Sequence, residues 1–525
     1  MPKVLISDEL SPRAAEIFAE NGITVDTKVG LAPDALIQAI GDYDGLAIRS
    51  ATKVTADVLA AAGQLRVIGR AGIGVDNVDV PAATAKGVVV MNTPFGNSIT
   101  TAEHAISLMM ALARQIPEAN ASTHAGKWEK SRFIGVEVFG KTLGVVGCGN
   151  IGSIVADRAR GLRMKVIAYD PFLSPERALD LGVEKVDLDA LYRRSDFITL
   201  HVPATEATRN MIDAAAMAKM KPGVRLVNCA RGGLIVEADL MAALESGQVA
   251  GAALDVFAEE PARDNPLFNL PNVVCTPHLG ASTTEAQENV AIQVAEQMAD
   301  YLVRGAVSNA LNMPSVSAEE APRLSPYLKL AEQLGSFAGQ ITETGLKAIT
   351  VDYEGEVADL NTRPLTACIL TGLLRPLLTS VNTVSAPLIA RERDIDVRES
   401  RRERASDYQT LIRLTVTTEQ RRRSVTGTLF GGVKPRIVEV EDIPLEAEVT
   451  PHMLFVRNND RPGLVGRLGT MLGNAGINIA SFHLGRQDEG GAAIALVAID
   501  QPVPDMLMDQ ICVLPDVVRV RALRF

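Results

Sequence analysis

The sequence predicts an α/β protein in which a doubly wound parallel sheet is inserted into a second α/β domain, followed by an α+β domain and a small βαββαβ, ferredoxin-like domain. Three observations predict it. Short apolar runs alternate with helical patterns over the first 300 residues, a glycine-rich turn follows one of those runs, and the last 75 residues change to the shorter βαββαβ pattern. A chain of 525 residues is also too long for a single hydrophobic core.

The first predicted block, residues 1–96, is an α/β layer without a phosphate-binding turn of its own. It contains apolar runs typical of strands and one early amphipathic helix. The later helix at 284–304 has no strands after it to cover, so we expect it to return to this layer. The first domain is therefore predicted to be discontinuous, with residues 1–96 joined by 283–312. The predicted strands are 4–7, 45–48, 67–70 and 88–92, and the helix is 12–21.

The most specific motif is GVVGCGNIG at 144–152. Gly147, Gly149 and Gly152 have the spacing that permits a tight turn, close approach of a pyrophosphate and close packing of helix on sheet. Asp170 follows at the end of the next predicted strand, where a carboxylate accepts hydrogen bonds from an adenosine ribose. The next residues are Pro171 and Phe172, with no arginine to neutralise a 2′-phosphate. The motif therefore predicts a Rossmann-like site that prefers NAD to NADP.

This motif belongs to a predicted nucleotide-binding domain at 97–282. Strands are expected at 141–146, 165–169, 197–201, 225–228, 250–255 and 273–276, with a helix at 151–162. Thr100 and Glu103 have the spacing of a capping box ahead of an apolar helix at 105–114.

Two further domains are expected after residue 312. A linker at 312–326 contains prolines and acidic residues, and it opens a block at 315–447 that ends at a break near 444–451. The last domain, 452–525, has the order strand, helix, two strands, helix, strand. The predicted elements are 453–457, 463–475, 477–486, 492–499, 506–513 and 517–523.

Composition excludes several classes of partner. The formal net charge of −11 argues against nucleic acid or an anionic membrane surface as the main partner. Five scattered cysteines give no disulfide framework and no metal-ligand spacing, so no metal is expected. The chain starts on a predicted strand without a signal-like segment, and no run approaches 18 apolar residues. We expect a cytoplasmic protein.

Three polar residues lie at predicted strand ends, where ligands of open α/β sheets bind. They are Arg231, Glu260 and His278. Hydride transfer from a 2-hydroxy acid needs such groups, because an arginine binds the carboxylate and a histidine takes the hydroxyl proton while a carboxylate orients it. Each also has an ordinary structural reading: a solvated arginine, an acidic turn and a capping histidine.

Residues 1–310 resemble the D-2-hydroxyacid dehydrogenases. The resemblance is carried by GRAGIGVDNVD (69–79), NTPFGNSITTAEHA (92–105), GVVGCGNIG, VNCARGGLIVEADL (227–240), AALDVFAEEP (252–261) and TPHLGAST (276–283). It implies that Arg231, Glu260 and His278 are catalytic and that Ile73, Gly74 and Asn97 lie in the cleft. It implies NAD contacts at Gly147, Gly149, Asn150, Ile151, Gly152, Asp170, Cys229, Ala230, Arg231, Asp255, His278 and Gly280.

The added C-terminal blocks resemble those of family members whose substrate carries a phosphate. This resemblance implies oxidation of 3-phospho-D-glycerate to 3-phosphooxypyruvate, the first step of phosphorylated L-serine biosynthesis. A second anion site must then exist, and its candidates are Arg49, Arg70, Lys130 and Arg132, with Arg49 and Arg132 preferred. Trp128, the only tryptophan, is a candidate subunit contact. The resemblance implies a homo-oligomer, a dimer or a tetramer.

Residues 456–486 resemble an ACT domain, and this resemblance implies L-serine as a feedback effector bound at Asn458, Asp460 and Asn478. Some relatives have His and Asn at the first two of these positions, so the chain departs from that pattern. An ACT domain used only for assembly is the alternative. The block at 315–447 resembles an intervening regulatory domain through SAPLIARERDIDV (385–397) and RESRRERAS (398–406). Its arginines are candidates for an anionic effector, or else form the solvated face of a charged helix: Arg391, Arg393, Arg398, Arg401 and Arg402.

Two other functions remain as alternatives from the sequence. One is a dehydrogenase for another D-2-hydroxy acid, such as glycerate, 2-hydroxyglutarate or lactate. The other is a non-catalytic protein that binds NAD to control assembly. The candidate phosphate-site arginines distinguish the first alternative from an enzyme whose substrate carries a phosphate. The presence of Arg231, Glu260 and His278 argues against the second alternative.

Overall fold

The computed structural model describes residues 1–317, 319–343, 345–378, 381–403 and 408–525, so the end of the RESRRERAS motif, 404–406, lies outside the described residues. The first sheet has five parallel strands in the order β2-β1-β3-β4-β5. Its elements are β1 (Lys3–Ile6), α1 (Pro12–Glu20), β2 (Thr24–Thr27), α2 (Pro33–Ala39), β3 (Gly45–Ile48), α3 (Ala56–Ala61), β4 (Val67–Arg70), α4 (Val80–Lys86) and β5 (Val89–Asn92).

The second sheet has seven parallel strands in the order β12-β11-β10-β9-β6-β7-β8. The order reverses direction at β6, which makes the sheet doubly wound and leaves a crevice at the carboxyl end of β6. Its elements are α5 (Ser98–Arg114), α6 (Ile116–His124), β6 (Thr142–Val146), α7 (Asn150–Gly161), β7 (Lys165–Tyr169), α8 (Pro175–Leu181), β8 (Glu184–Lys185), α9 (Leu188–Arg194), β9 (Phe197–Leu200), α10 (Ala214–Ala218), β10 (Val224–Asn228), α11 (Glu237–Ser246), β11 (Val249–Leu254) and β12 (Val273–Cys275).

Helix α12 (Thr284–Arg304) returns to the first sheet, as predicted. Thr283 caps its N-terminus by accepting a hydrogen bond from the Ala286 amide. Its apolar face joins the core of β1, β3 and β4 and packs on Gly69, where a Cβ would lie 2.6 Å from Val294. The chain therefore crosses between the two sheets twice, once before α5 and once before α12.

The third sheet is mixed, in the order β14-β13-β15-β16-β17-β18, and only the β13–β14 pair is parallel. Helices α13 and α14 pack against each other, and α13 covers β16 and β17. The elements are α13 (Ala321–Gln340), β13 (Leu346–Gly355), α14 (Arg363–Leu374), α15 (Ala386–Glu392), β14 (Asp396–Arg402), β15 (Thr410–Thr418), β16 (Arg422–Phe430), β17 (Lys434–Val440) and β18 (Ile443–Glu448).

The fourth sheet is antiparallel, in the ferredoxin-like order β20-β21-β19-β22. One face is covered by its own two helices, and the other packs on the third-sheet domain. Phe455 meets Phe337 of α13 edge to face, with ring centroids 5.9 Å apart. The elements are β19 (His452–Asn459), α16 (Leu464–Asn474), β20 (Ile479–Arg486), β21 (Ala492–Ile499), α17 (Asp505–Cys512) and β22 (Val517–Arg524).

Two predicted boundaries are wrong because local signals were overridden. The predicted capping box at Thr100 and Glu103 is wrong, because α5 already begins at Ser98 and both residues lie inside the helix. The residue before the helix, Asn97, makes no capping hydrogen bond through its side chain. The predicted linker ends early because α13 starts at Ala321, and a proline in the first helical turn loses no helical hydrogen bond.

Two further predictions fail in the third sheet. The expected break near 444–451 is partly strand β18, since an edge strand tolerates Pro444. Arg398, Arg401 and Arg402 lie on the edge strand β14 and not on a charged helix. Within the described ranges, none of the helices has both the length and the apolar character needed to span a membrane.

Candidate active site

The glycine turn after β6 is built to lie close to a ligand. Gly147 has φ +88°, and a Cβ there would lie 2.6 Å from the carbonyl oxygen of His201. A methyl group on Gly152 would overlap the carbonyl of Gly147, so α7 packs directly on the turn. Gly149, by contrast, faces open space with no atom within 4 Å of a Cβ position. Helix α7 begins at Asn150, and the free amide groups of its first turn can bind an anion placed at the glycine turn.

Asp170 is held at the edge of the same turn. Its Oδ2 accepts a hydrogen bond from the Cys148 amide at 2.8 Å, and its Oδ1 accepts one from the Phe172 amide at 2.8 Å. Phe172 itself is 95% exposed. The carboxylate therefore lies beside the crevice where the sheet order reverses, the position from which ribose hydroxyls are bound in such folds. Asn150 reaches the domain of the first sheet, called the first lobe below: its side chain donates a hydrogen bond to the Pro94 carbonyl at 3.4 Å.

Glu260 and His278 form a close pair at the ends of β11 and β12. The Nδ1 atom of His278 lies 2.7 Å from Oε2 of Glu260, and both side chains are partly exposed. The second carboxylate oxygen accepts a hydrogen bond from the Phe257 amide at 3.1 Å. Burial opposes ionisation of Glu260, but these hydrogen bonds outweigh it and hold its pKa below the ordinary range. Since Nδ1 is engaged, Nε2 of His278 is the ring nitrogen free to exchange a proton.

Asp255 fixes the backbone that carries His278. Its buried carboxylate accepts hydrogen bonds from the Leu279 and Gly280 amides at 2.7 and 2.8 Å, and from Thr276 at 2.6 Å. The His278 amide donates to the Asp255 carbonyl at 2.9 Å while His278 adopts φ +56°. Burial raises the pKa of the Asp255 carboxyl group. The hydrogen bonds from His104, Thr276 and the Leu279 amide lower this pKa by more than burial raises it, so it lies below its ordinary value.

Arg231 is positioned by the loop after β10. Asn228 holds this loop by accepting from the Ala230 amide and donating to the Arg231 carbonyl. The guanidinium then crosses to the first lobe, where its Nε donates to Asp76 at 3.1 Å and it lies over Gly74. Cys229, just before it, is buried, and burial raises the pKa of its thiol.

Two more arginines lie in the first lobe beside Arg231. Arg70, at the end of β4, has a buried Nε without a hydrogen-bond partner among the described residues. Burial, followed by the positive charges of Arg231 and Arg49, lowers the pKa of Arg70 to about 10. Arg49 follows β3, and its amide is held by Asp8 at 2.6 Å. The first lobe therefore presents an arginine cluster, Arg49, Arg70 and Arg231, in an acidic protein.

Three neutral residues, Ile73, Gly74 and Asn97, are predicted from the sequence to lie in the cleft. The carbonyl of Ile73 accepts a hydrogen bond from Asn92 at 2.6 Å, which fixes the turn that Gly74 continues. Asn97, at the start of α5, is 8% exposed, and its Oδ1 is buried without a hydrogen-bond partner in the described part of the chain. A buried carbonyl oxygen of this kind suits a ligand that donates hydrogen bonds.

Lys130 and Arg132 do not join this cluster. Both are exposed in a short 3-10 turn, where Arg132 pairs with Glu129 at 3.1 Å and lies over the ring of Phe133. Trp128 in the same loop is 88% exposed. Other large apolar side chains near it are exposed as well, namely Ile116, Ile134 and Phe139.

Two of the three predicted effector residues, Asn458 and Asp460, lie at the β19–α16 turn, and the third, Asn478, lies just before β20. Asn458 is 3% exposed, and its Oδ1 is buried without a partner within the described ranges. Asp460 accepts hydrogen bonds from Arg486 and the Gly490 amide, and these hold its pKa below the ordinary range. Asn478 is exposed and donates to Asp500 at 2.9 Å.

The intervening-domain arginines on β14 are mostly engaged within their own domain. Arg398 pairs with Asp396 at 2.6 Å, Arg402 lies 3.7 Å from Glu354, and Arg401 donates to Thr362. These contacts satisfy part of their charge without any ligand.

Sequence reasoning missed four residues that hold the site: Asp8, Asp76, Asn228 and His104. Asp8 is the second residue after β1, near a strand end like the residues that were chosen, so its position was a usable signal. Asp76, Asn228 and His104 fall inside the quoted motifs, but no local pattern tells which neighbour each contacts. In the part of the chain that the structure describes, no group of three or more His, Cys, Asp or Glu could hold a metal ion.

Comparisons with known proteins agree with this architecture. Residues 106–280 match the family profile "D-isomer specific 2-hydroxyacid dehydrogenase, NAD binding domain". Residues 323–441 match "D-3-phosphoglycerate dehydrogenase intervening domain", and 452–516 match "ACT domain". The chain is thus an NAD-dependent D-2-hydroxyacid dehydrogenase, and the open glycine turn and fixed Asp170 fit that cofactor.

Full-length relatives identify the family more closely. The D-3-phosphoglycerate dehydrogenase of Synechocystis sp. is 46% identical over 97% of this chain and 92% of its own. The enzyme of the same name from Methanocaldococcus jannaschii is 43% identical over 98% of both. A crystal structure of a glyoxylate reductase from Paecilomyes thermophila has a TM-score of 0.56 and 30% identity, covering 59% of this chain and 98% of its own. The chain belongs to the D-3-phosphoglycerate dehydrogenase family.

Proposed function

We propose that this enzyme oxidises 3-phospho-D-glycerate to 3-phosphooxypyruvate with NAD, the first step of phosphorylated L-serine biosynthesis. The observation that carries the proposal is the cluster of Arg49, Arg70 and Arg231, because a substrate with a carboxylate and a phosphate needs more than one guanidinium. The names of the full-length relatives support the same substrate.

In this mechanism Arg231 binds the substrate carboxylate and orients the hydroxyl toward His278. Nε2 of His278 takes the hydroxyl proton, while Glu260 on Nδ1 fixes the ring and stabilises the positive charge that develops. NAD, when bound, accepts the hydride from the substrate carbon. Closure of the two lobes excludes water from this step.

We propose two lobes around this cleft, residues 1–96 with 283–312, and residues 97–282. Ile73, Gly74 and Asn97 line the cleft, and the intervening and ACT domains occupy 315–447 and 452–525. The residues proposed to bind NAD are Gly147, Gly149, Asn150, Ile151, Gly152, Asp170, Cys229, Ala230, Arg231, Asp255, His278 and Gly280.

For the phosphate we propose Arg49 and Arg70. Arg49 has no side-chain hydrogen bond or ion pair among the described residues, so it is available to a ligand. Burial and like charge around Arg70 favour an anion beside it. Lys130 and Arg132 are weaker candidates, since Arg132 is 59% exposed and already paired with Glu129.

The test compares 3-phospho-D-glycerate with D-glycerate in an NADH absorbance assay. Arg49→Ala should raise KM for the phosphorylated substrate by about tenfold or more, because one charge-assisted contact is lost, and should leave D-glycerate almost unchanged. Arg132→Ala serves as the matched variant and should leave both nearly unchanged. Equal effects of Arg49→Ala on both substrates would favour a dehydrogenase for another 2-hydroxy acid.

A second variant tests the base. His278→Ala should lower kcat by at least about a hundredfold, the typical contribution of general acid–base catalysis, while NAD binding persists. An active His278→Ala enzyme would contradict the assignment.

We also propose feedback inhibition by L-serine at Asn458, Asp460 and Asn478, and assembly into a homodimer or tetramer. The buried amide oxygen of Asn458 supports the first, since it can accept from an amino group. The exposed apolar surface around Trp128 supports the second. Titration of L-serine into the assay tests the first proposal, and a flat titration would refute it. Light scattering of the purified chain tests the second, and a monomer would refute it.

We also propose that the enzyme acts in the cytoplasm. The five cysteines, all free in the described residues, support this location.

A further inference from the structure

Two neighbouring residues of the first lobe, Asp76 and Asn77, contact the two arginines that lie at opposite ends of the proposed substrate. Both belong to the segment that follows β4, and their Cα atoms are about 3.8 Å apart across one peptide bond. The side chain of Asp76 contacts Arg231, which comes from the nucleotide-binding domain. The side chain of Asn77 contacts the backbone of Arg49, which follows β3.

The carboxylate of Asp76 sets the direction of the Arg231 guanidinium. Its Oδ2 accepts a hydrogen bond from Nε of Arg231 at 3.1 Å, while Nη1 of Arg231 donates to the Ala230 carbonyl at 2.6 Å. The third nitrogen, Nη2, donates to none of the described residues and lies directly over Gly74, where a Cβ would overlap it. Two nitrogens of the guanidinium are therefore held by the protein, and the third is left for a ligand at the Gly74 turn.

The stability of the fold does not explain the Asp76–Arg231 ion pair. The side chain of Asp76 is 69% exposed and that of Arg231 is 26% exposed. An ion pair so open to solvent contributes little to stability, because water and salt screen it. The pair joins two domains across the cleft, so its effect falls on the orientation of Arg231.

Asn77 fixes the loop that begins with Arg49. Its Nδ2 donates to the carbonyls of Arg49 and Thr52 at 2.7 and 2.6 Å, and its own carbonyl accepts from the Val54 amide at 2.8 Å. On the other side of the loop, Asp8 accepts from the amides of Arg49 and Thr52 at 2.6 and 3.2 Å. Both main-chain polar groups of Arg49 are thus bonded, and the side chain leaves the loop from a fixed backbone.

We infer that Asp76 and Asn77 are positioning residues that hold Arg231 and Arg49 at a fixed separation, and that they select substrates by the distance between two anionic ends. One peptide bond joins the two anchors, so neither arginine can shift far relative to the other. Direction matters because the planar guanidinium binds an anion in a fixed geometry, and a small misplacement of a bound substrate lowers the rate strongly. The role of Asn77 rests on the proposed function, whereas that of Asp76 requires only that Arg231 binds a carboxylate.

The first test measures kcat and KM of full-length Asp76 variants for D-glycerate and 3-phospho-D-glycerate. Asp76→Ala should raise KM for both substrates by about tenfold, because they share the carboxylate that Arg231 binds. Asp76→Asn should stay within about threefold of the wild type, since its amide oxygen still accepts from Nε. An unchanged KM in Asp76→Ala would refute the inference. A lower KM would do so as well, because Asp76 would then compete with the substrate for Arg231.

The second test concerns Asn77, whose replacement should affect only the phosphorylated substrate. Asn77→Ala should raise KM for 3-phospho-D-glycerate about tenfold and change KM for D-glycerate less than about twofold. In an Arg49→Ala background the same change should have no further effect, since Asn77 acts through Arg49. Additive effects, or an equal rise for both substrates, would contradict this role. Asn77→Ser keeps one donor and should show a smaller shift with the same selectivity.

Glu16→Ala is the matched control. Glu16 is an exposed carboxylate of the first lobe that pairs with Arg13 at 2.9 Å on α1, the helix that packs against α12. This variant should leave both KM values unchanged, and isothermal titration of NAD should give nearly wild-type affinity for every variant. Loss of NAD binding together with the rise in KM would indicate general damage to the fold and would overturn the positioning role. If Arg49→Ala shows no selectivity for phosphate while Asp76→Ala still raises KM for D-glycerate, only the proposed substrate is wrong.

Discussion

Replacing Gly147 by alanine tests the physical reason for the first glycine of the turn. The backbone there has φ +88°, a conformation that costs a residue with a Cβ about 1–2 kcal/mol. The new methyl would also lie 2.6 Å from the His201 carbonyl oxygen and 2.7 Å from Val202. Real contacts of this kind are longer, so β6 and β9 must separate, and overpacking of this kind costs about 1–3 kcal/mol. The sum is a loss of roughly 2–5 kcal/mol in the free energy of unfolding.

Two glycines in the same region serve as matched controls. Gly149 faces open space, so Gly149→Ala should change the stability of the NAD-free protein by no more than about 1 kcal/mol, the cost of alanine at a helix N-cap. Its methyl would occupy the position of the pyrophosphate and should weaken NAD binding roughly 5- to 150-fold. Gly161, at the other end of α7, also faces open space, so Gly161→Ala should stabilise by up to about 1 kcal/mol and leave NAD binding unchanged.

The assay combines urea unfolding of each NAD-free variant with isothermal titration of NAD. Gly147→Ala should lose both stability and NAD affinity, Gly149→Ala only affinity, and Gly161→Ala neither. Wild-type NAD affinity in Gly149→Ala would show that no phosphate approaches this turn. Unchanged stability in Gly147→Ala would refute the steric reasoning.

Two further predictions concern stability. The pKa of Asp255 in the folded protein lies below its ordinary value of 3.8, so its charge stabilises the fold above that pH and this contribution is lost as pH falls through the lower folded-state pKa. Urea unfolding should therefore show Asp255→Asn less stable than wild type by about 1–3 kcal/mol at pH 7, with the difference shrinking below pH 4; a constant difference would contradict the hydrogen-bonded carboxylate. Phe455→Ala should cost about 3–5 kcal/mol and expose residues 449–451 to limited proteolysis, because it removes the ring packed on Phe337. Val518→Ala, on an exposed position of β22, is the control and should change neither measurement.

Elements with a strong period and clear ends were predicted accurately. Three strands and one helix have the predicted bounds: Gly45–Ile48, Val67–Arg70, Lys165–Tyr169 and Thr284–Arg304. The strands were recognisable because buried parallel strands are mostly apolar, and the helix because it has a capping threonine and a following glycine. The small edge strands β2 and β8 were missed, since exposed residues such as Glu184–Lys185 show no apolar period. Their pairing is dictated by neighbouring strands that are distant in sequence.

For the site, the sequence indicates which residues are chemically suitable but not which of them meet. Glu260 and His278 were predicted as a pair because both end adjacent strands, and they lie 2.7 Å apart. Arg49 and Arg132 were preferred together for the second anion site, yet Arg132 is paired locally with Glu129 while Arg70 lies beside Arg49 and Arg231. Contacts across a cleft depend on how two lobes are oriented, and no local pattern records that.

The arginine cluster in the cleft has the opposite charge to the chain as a whole. At a net charge of −11, the average surface repels anions, and a guanidinium without a carboxylate partner is a local exception. In the cleft, Asp8 accepts a hydrogen bond from the backbone amide of Arg49, and Asp76 accepts one from the side chain of Arg231. The positive charge of the guanidinium groups is thereby left available to a substrate. Screening over about 8 Å at physiological salt weakens the field of the distant acidic surface, so this cluster can attract an anion at close range although the whole chain is negative.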